Sequence, residues 1–199
     1  MVVKEEIRDQ IIESARQIFR KYGFRKSTME EVAKSAGKGK SSIYYYFTSK
    51  EDIYKAVIEK EAIILRNEIQ NALFNVSDPV EKIKVYVTVR MKSILAMINF
   101  YEAIRNEFLS HLDFINKIRE KYDHEEIQLV ESILNEGVLL NKFTIDSTEF
   151  AAIGIVTALK GLEIPIVKYN KQINLDDRIH HLLEILFFGI VKGQLKESK

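Results

Sequence analysis

Lys40, Ser41, Ser42, Tyr44, Tyr45 and Tyr46 crowd into one short stretch of a 199-residue chain, and their side chains share a chemistry. An ammonium, two hydroxyls and three phenols suit a helix laid in a DNA major groove, where they meet phosphate oxygens, base edges and thymine methyl groups. Ile43 and Phe47, one turn apart, are left to face inward.

Such a set reads DNA only when rigid elements present it, and the preceding residues supply them. Thr28 and Glu31 occupy the N-cap and N3 places of a capping box, and Ser27 with Glu30 offers the same box one residue earlier. Met29, Val32, Ala33 and Ala36 gather an apolar stripe at helical spacing. Gly37 ends that helix in a left-handed conformation, Gly39 keeps the turn open to unusual backbone angles, and the next helix begins near Lys40 or Ser41. Upstream, Ile7, Ile11, Ala15, Ile18 and Tyr22 recur every three or four residues, with Phe19 widening the stripe and Gly23 as a stop. The expected unit is a supporting helix followed by a helix-turn-helix.

Charge distribution agrees with a polyanionic partner. Residues 1–50 hold 11 Lys and Arg against 6 Asp and Glu, a net of +5, although the whole chain is only +1 and the remaining residues are therefore −4. Cysteine is absent, so neither a disulfide framework nor a thiolate metal site is open to this sequence. No signal-peptide core and no apolar run of about 18 residues occur, which points to a cytoplasmic protein. At this length a chain buries about 70% of its unfolded surface.

In register, Phe19, Tyr22, Gly23, Phe24, Ser27, Thr28, Met29, Val32, Ala33, Ala36, Gly37, Tyr44, Tyr46, Phe47, Lys50 and Ile53 resemble the N-terminal signature of the tetracycline-repressor (TetR) family of bacterial transcription regulators. Lys38, Gly39 and Ser41 depart from the usual pattern, so the operator is not borrowed from a relative. The resemblance implies that Thr28 holds a phosphate at the start of the second helix. It also implies that Lys40, Ser41, Ser42 and Tyr45 face bases or nearby sugars, while Tyr44, Tyr46 and Lys50 grip backbone phosphates. It further implies a homodimer on a double-stranded palindromic operator, repression, and release by a small-molecule effector of hydrophobic character.

The rest of the chain reads as helical. Thr48 or Ser49 caps a helix with Glu51 and Asp52 in its first turn, and apolar positions from Ile53 to Leu73 carry it to about Val76. Asp78, Pro79 and Glu81 open another. Its VYVTV run has strand-like composition, yet Val80, Ile83, Val87, Met91, Ile94 and Ile98 keep the helical period across it. Further helices are expected over about 100–110 and about 113–136, before Gly137 and a polar break at 141–147. Met91, Met97, Phe100, Tyr101 and Phe108 are candidate effector-lining residues, with plain core packing as the blander alternative.

From Glu149 to about Ile164 the small residues Ala151, Gly154, Ala158 and Gly161 form a shallow seam that a second helix can approach. The segment from about Asp176 to Leu195 is apolar almost all round, including Leu183, Phe187 and Ile190. Either a dimer or a single larger core would bury them, and the resemblance implies that these two helices form the dimer interface. The fold class expected is all-α, with a helix-turn-helix domain over 1–48 joined by a long helix to an effector-binding and dimerisation domain over 49–199.

Other chemistries find little footing. Gly39-Lys40-Ser41 resembles the end of a phosphate-binding loop, but Lys34 stands where its first glycine belongs. His180, His181 and Glu184 lack a second ligand pair at zinc spacing, and a polar surface accounts for them. No metal, cofactor or catalytic residue is expected. A DNA binder without an effector, whether regulator or architectural protein, is the runner-up, ahead of an enzyme that carries a helix-turn-helix.

Overall fold

A computed structural model describes residues 2–93, 97, 99, 113–168 and 174–189 of the chain. All regular elements among them are α-helices: α1 (Val2–Tyr22), α2 (Met29–Ser35), α3 (Lys40–Tyr46), α4 (Lys50–Leu73), α5 (Pro79–Ser93), α6 (Asp113–Leu139), α7 (Thr148–Lys168) and α8 (Leu175–Phe188). Two compact units divide the chain. One comprises Met1–Glu68 and Leu95–Glu125, the other Ile69–Ile94 and Glu126–Lys199.

In the first unit α1 packs on α2 and α2 on α3. Ile11, Ile12, Ala15 and Phe19 of α1 are buried with Met29, Val32, Ala33, Ile43 and Phe47. The expected α1 stripe is thus rotated slightly: Ile7 and Ile18 are only half-buried and Tyr22 is exposed, because Ile12 and Phe19 take the inner face. Gly23, at φ 77°, ends the helix and donates its N–H to the Phe19 carbonyl.

The α4 inner face carries Ile53, Tyr54, Val57, Ile58, Ala62 and Leu65, and Glu61 is fully buried among them. Arg16 Nε donates to Glu61 Oε1 at 3.0 Å and Asn99 Nδ2 donates to the same oxygen at 2.8 Å. Asn99 Nδ2 also reaches the Arg16 carbonyl at 3.2 Å, tying α1 and α4 through one buried carboxylate. The buried rings of Phe19, Phe24 and Tyr54 cluster with centroids 4.5–5.9 Å apart, Phe19 edge-on to Tyr54. Sequence periodicity passed over Glu61, although its place on the inner face, three residues after Ile58 and four before Leu65, is the available signal.

The second unit is built around α5, against which α7 and α8 pack. Asp78 caps it through Glu81 N–H, Pro79 takes the first helical position, and the VYVTV run is helical as its period requires. Tyr86, Val87 and Met91 are buried with Val130, Ile133 and Leu134 of α6 and with Ala152, Ile155, Val156 and Leu159 of α7. A second, largely buried ion pair lies here: Arg90 meets the half-buried Glu126, whose Oε1 also accepts from the Tyr86 hydroxyl at 2.8 Å.

Several expected boundaries move. α4 stops at Leu73 rather than about Val76. α6 runs through Gly137 to Leu139; a Cβ on Gly137 would sit 2.0 Å from the Phe143 ring, so this glycine makes room for a returning side chain instead of ending the helix. The stop is Asn141, at φ 53°, after which Lys142 and Phe143 both donate to the Gly137 carbonyl. α7 continues past Pro165 to Lys168. The expected helix at 100–110, and the α8 extension beyond Gly189, lie outside the described residues.

Candidate nucleic-acid interface

The start of α2 and the turn that leads from it to α3 are both fixed by local hydrogen bonds. Thr28 Oγ1 accepts from Glu31 N–H at 3.2 Å and donates to Glu31 Oε2 at 3.0 Å, while Thr28 N–H donates to that oxygen at 2.8 Å, so the box starting at Thr28 forms. Ser27 is used otherwise: its buried hydroxyl donates to the Gly23 carbonyl at 2.8 Å. At the far end Gly37, at φ 63°, closes α2 with Lys38 N–H on the Ala33 carbonyl and Gly37 N–H on that of Lys34. Gly39 does not use a glycine's freedom; at φ −73° it is an ordinary N-cap whose carbonyl accepts from Ser42 and Ile43.

Only Ile43 and the C-cap Phe47 of this turn-and-helix face inward. Lys40, Ser41, Tyr44 and Tyr45 are exposed, and Ser42 and Tyr46 half-buried, so the polar and aromatic face of α3 is open along its length. Tyr45 is 68% exposed, and its ring meets that of Tyr46 edge-on at 5.1 Å. Cations from α1 reach the same region. Lys4 Nζ lies 4.8 Å from the Tyr45 ring centroid and the Arg8 guanidinium 5.1 Å from that of Phe47. Neither was singled out from the sequence, where the charge excess of residues 1–50 was their only trace.

Lys40 pairs with Glu30 across the turn, and its ammonium is 5.9 Å from the Tyr44 ring. Its hydrogen bond to Lys40, first, holds the Glu30 carboxyl below its ordinary 4.5, and the reciprocal bond holds Lys40 above 10.5. Any stability from Glu30 is present above 4.5 and fades as pH falls through its lowered value; that from Lys40 is present below 10.5 and fades as pH rises through its raised one. At neutral pH the pair is therefore intact. Lys50, which resemblance assigned to phosphate, donates at 2.9 Å to the carbonyls of both Phe24 and Ser27, with its Nζ 4.5 Å from the Phe24 ring centroid. It clasps the loop between α1 and α2, leaving one of its three N–H groups for an outside acceptor.

In the second unit, the seam residues Gly154, Ala158 and Gly161 are exposed and Ala151 half-buried, opposite the buried face of α7. A Cβ at Gly154 or Gly161 would meet nothing within 4 Å. On α8, Leu183 and Phe187 are half-buried, whereas Ile185 and Phe188, not assigned to the interface from sequence, are the exposed ones. Phe150 and Ile153 add apolar surface on α7. Ile190 lies outside the described residues, as do Phe100, Tyr101 and Phe108. Met91 and Met97 are each almost fully buried. His180 and His181 face solvent beside Glu184, and no group of metal-binding side chains occurs among the described residues. Nor is any described helix long and apolar enough to cross a membrane.

Residues 11–57 match the family profile "Bacterial regulatory proteins, tetR family". Along most of its length the chain is similar to the HTH-type transcriptional regulator QacR of Staphylococcus aureus, 22% identical over 179 residues that cover 87% of this chain and 90% of the relative. Among solved structures, the fatty acid degradation regulator FadR of Bacillus halodurans superposes with a TM-score of 0.76 at 23% identity, covering 92% of this chain and 95% of its own. FadR of Bacillus subtilis in complex with stearoyl-CoA gives 0.73 at 22% identity, covering 92% and 98%.

Proposed function

The chain belongs to the tetR family of bacterial regulatory proteins, and we propose that this transcriptional regulator is a homodimeric repressor, released from a palindromic operator by a small hydrophobic effector. The observation that carries the DNA reading is the open face of α3. Six hydrogen-bonding or aromatic side chains, from Lys40 to Tyr46, stand on a helix packed against α2, whose start is locked by a capping box, with Lys4 and Arg8 beside them.

In this reading Lys40, Ser41, Ser42 and Tyr45 meet bases and sugars, and Tyr44 and Tyr46 meet phosphates. Thr28 and Lys50 mainly hold the head in shape, each with limited capacity left for a phosphate, since their polar groups already serve Glu31, Phe24 and Ser27. The helix-turn-helix of residues 1–48 is the DNA-binding domain, and residues 49–199 hold the effector and dimer sites. Two heads read half-sites about one DNA turn or somewhat more apart. The exposed apolar residues on α7 and on α8 support the dimer.

Anisotropy titration of a labelled duplex tests the electrostatics: with six to ten phosphates neutralised, affinity falls about 10³- to 10⁵-fold between 50 and 200 mM salt. A flat salt response would contradict the reading. Release is tested by adding candidate effectors to the bound complex, long-chain acyl-CoA among them because one structural neighbour holds stearoyl-CoA. Helix α4 is the proposed lever, 24 residues or about 36 Å in one piece. Proline at Val57 then abolishes effector response, and unchanged release in that variant would count against the lever.

A further inference from the structure

Two acids follow Thr28, and the structure gives them different partners. Glu31 is taken up by the capping box, accepting from both the Thr28 N–H and its hydroxyl. Glu30 reaches across the turn to Lys40, the first residue of the DNA-facing helix, with both side chains more than half exposed. The ring of Tyr44 approaches the same ammonium from its own helix, at 5.9 Å.

A lysine is a point charge on a flexible four-carbon stem. Left free at the edge of a groove, it goes to whichever phosphate is nearest, a contact that strengthens binding without reading sequence. Held by a carboxylate, it keeps donors for an acceptor in the groove, such as guanine O6 or N7. We propose that Glu30 is a specificity-determining positioning residue, which restrains Lys40 from sequence-blind phosphate contact and so widens the gap between operator and non-operator DNA. The inference rests on the DNA-binding reading above and names a device within that same site. Because the pair is exposed it acts as a bias and not as a lock, and the effects are a few-fold.

The test uses the full-length protein, its Glu30→Gln and Lys40→Gln variants and the double variant, each titrated against the selected operator and a scrambled duplex of equal length across 50–200 mM salt. Glu30→Gln is expected to tighten binding to the scrambled duplex by about two- to fivefold and to steepen its log–log salt slope by about one. Operator binding changes by less than about twofold, so the specificity ratio falls. In the Lys40→Gln background the Glu30 change moves neither slope nor ratio. Asp78→Ala, which removes the α5 cap in the second unit and leaves the pair alone, keeps the slope at its wild-type value, so simple loss of stability does not mimic the result. The inference is overturned if Glu30→Gln keeps the wild-type ratio and slope, or shifts them equally with and without Lys40. A wild-type protein that binds neither duplex is a separate result: it removes the DNA reading itself, and the inference with it.

Discussion

The two units of this protein are alike inside and opposite outside. Among the described residues, each holds a largely buried arginine–glutamate pair linked to a tyrosine: Arg16–Glu61 with Asn99, whose carbonyl accepts from Tyr54, in the first, and Arg90–Glu126, which accepts from Tyr86, in the second. Their uncovered faces differ in kind. The first unit opens a surface of hydroxyls, phenols and ammonium groups on α3; the second opens Phe150, Ile153, Ala158, Ile185 and Phe188 with glycines between them. A buried charge pair adds little net stability yet is costly to break, so the interiors say little about function. The surfaces say more, since the first suits the proposed polyanionic partner and the second the proposed dimer contact.

The contrast breaks first at the apolar face. Replacing Ala158 and Phe188 by Glu, both exposed in the single chain, leaves the fold intact and gives monomers by sedimentation. Duplex affinity then drops by about 10²- to 10⁴-fold, because one head no longer delivers the other. A variant that stays dimeric would move the interface elsewhere.

The interiors offer the next test. Glu61→Ala leaves Arg16 and Asn99 without their shared acceptor, and Glu126→Ala does the same to Arg90 and Tyr86. Each is expected to cost about 3–5 kcal/mol in urea unfolding. Markedly unequal losses would show that the resemblance between the two interiors is only geometric.

On the polar face, Tyr45→Ala is expected to weaken operator binding about tenfold while changing stability by no more than about 0.5 kcal/mol, as its exposure implies. Smallest is Thr28→Ala, which removes the α2 cap and costs about 1 kcal/mol in thermal unfolding.

Local chemistry made the head readable in advance. The Thr28–Glu31 box, the left-handed Gly37, the inward Ile43 and Phe47 and the outward tyrosines all follow from residues within one turn of each other. Features made by distant partners were not readable in this way. Lys4 and Arg8 come to α3 from the far end of α1, Glu61 gains its meaning from Arg16 and Asn99, and Lys50 binds carbonyls more than twenty residues away. Glycine was ambiguous for the same reason, since Gly37 ends a helix by its backbone angle while Gly137 lies within one to seat Phe143. Which side of α8 is uncovered also needed the partners of α5, because an all-round apolar helix has no preferred face in its own sequence.

The most direct test of the whole account is selection of bound duplexes from a random pool by the full-length protein, with the mass of the recovered complex measured. The account expects an inverted repeat, with half-site centres about one helical turn or slightly more apart, and an even number of chains on each duplex. Recovery of no preferred sequence, or of a single half-site carrying one chain, would contradict it.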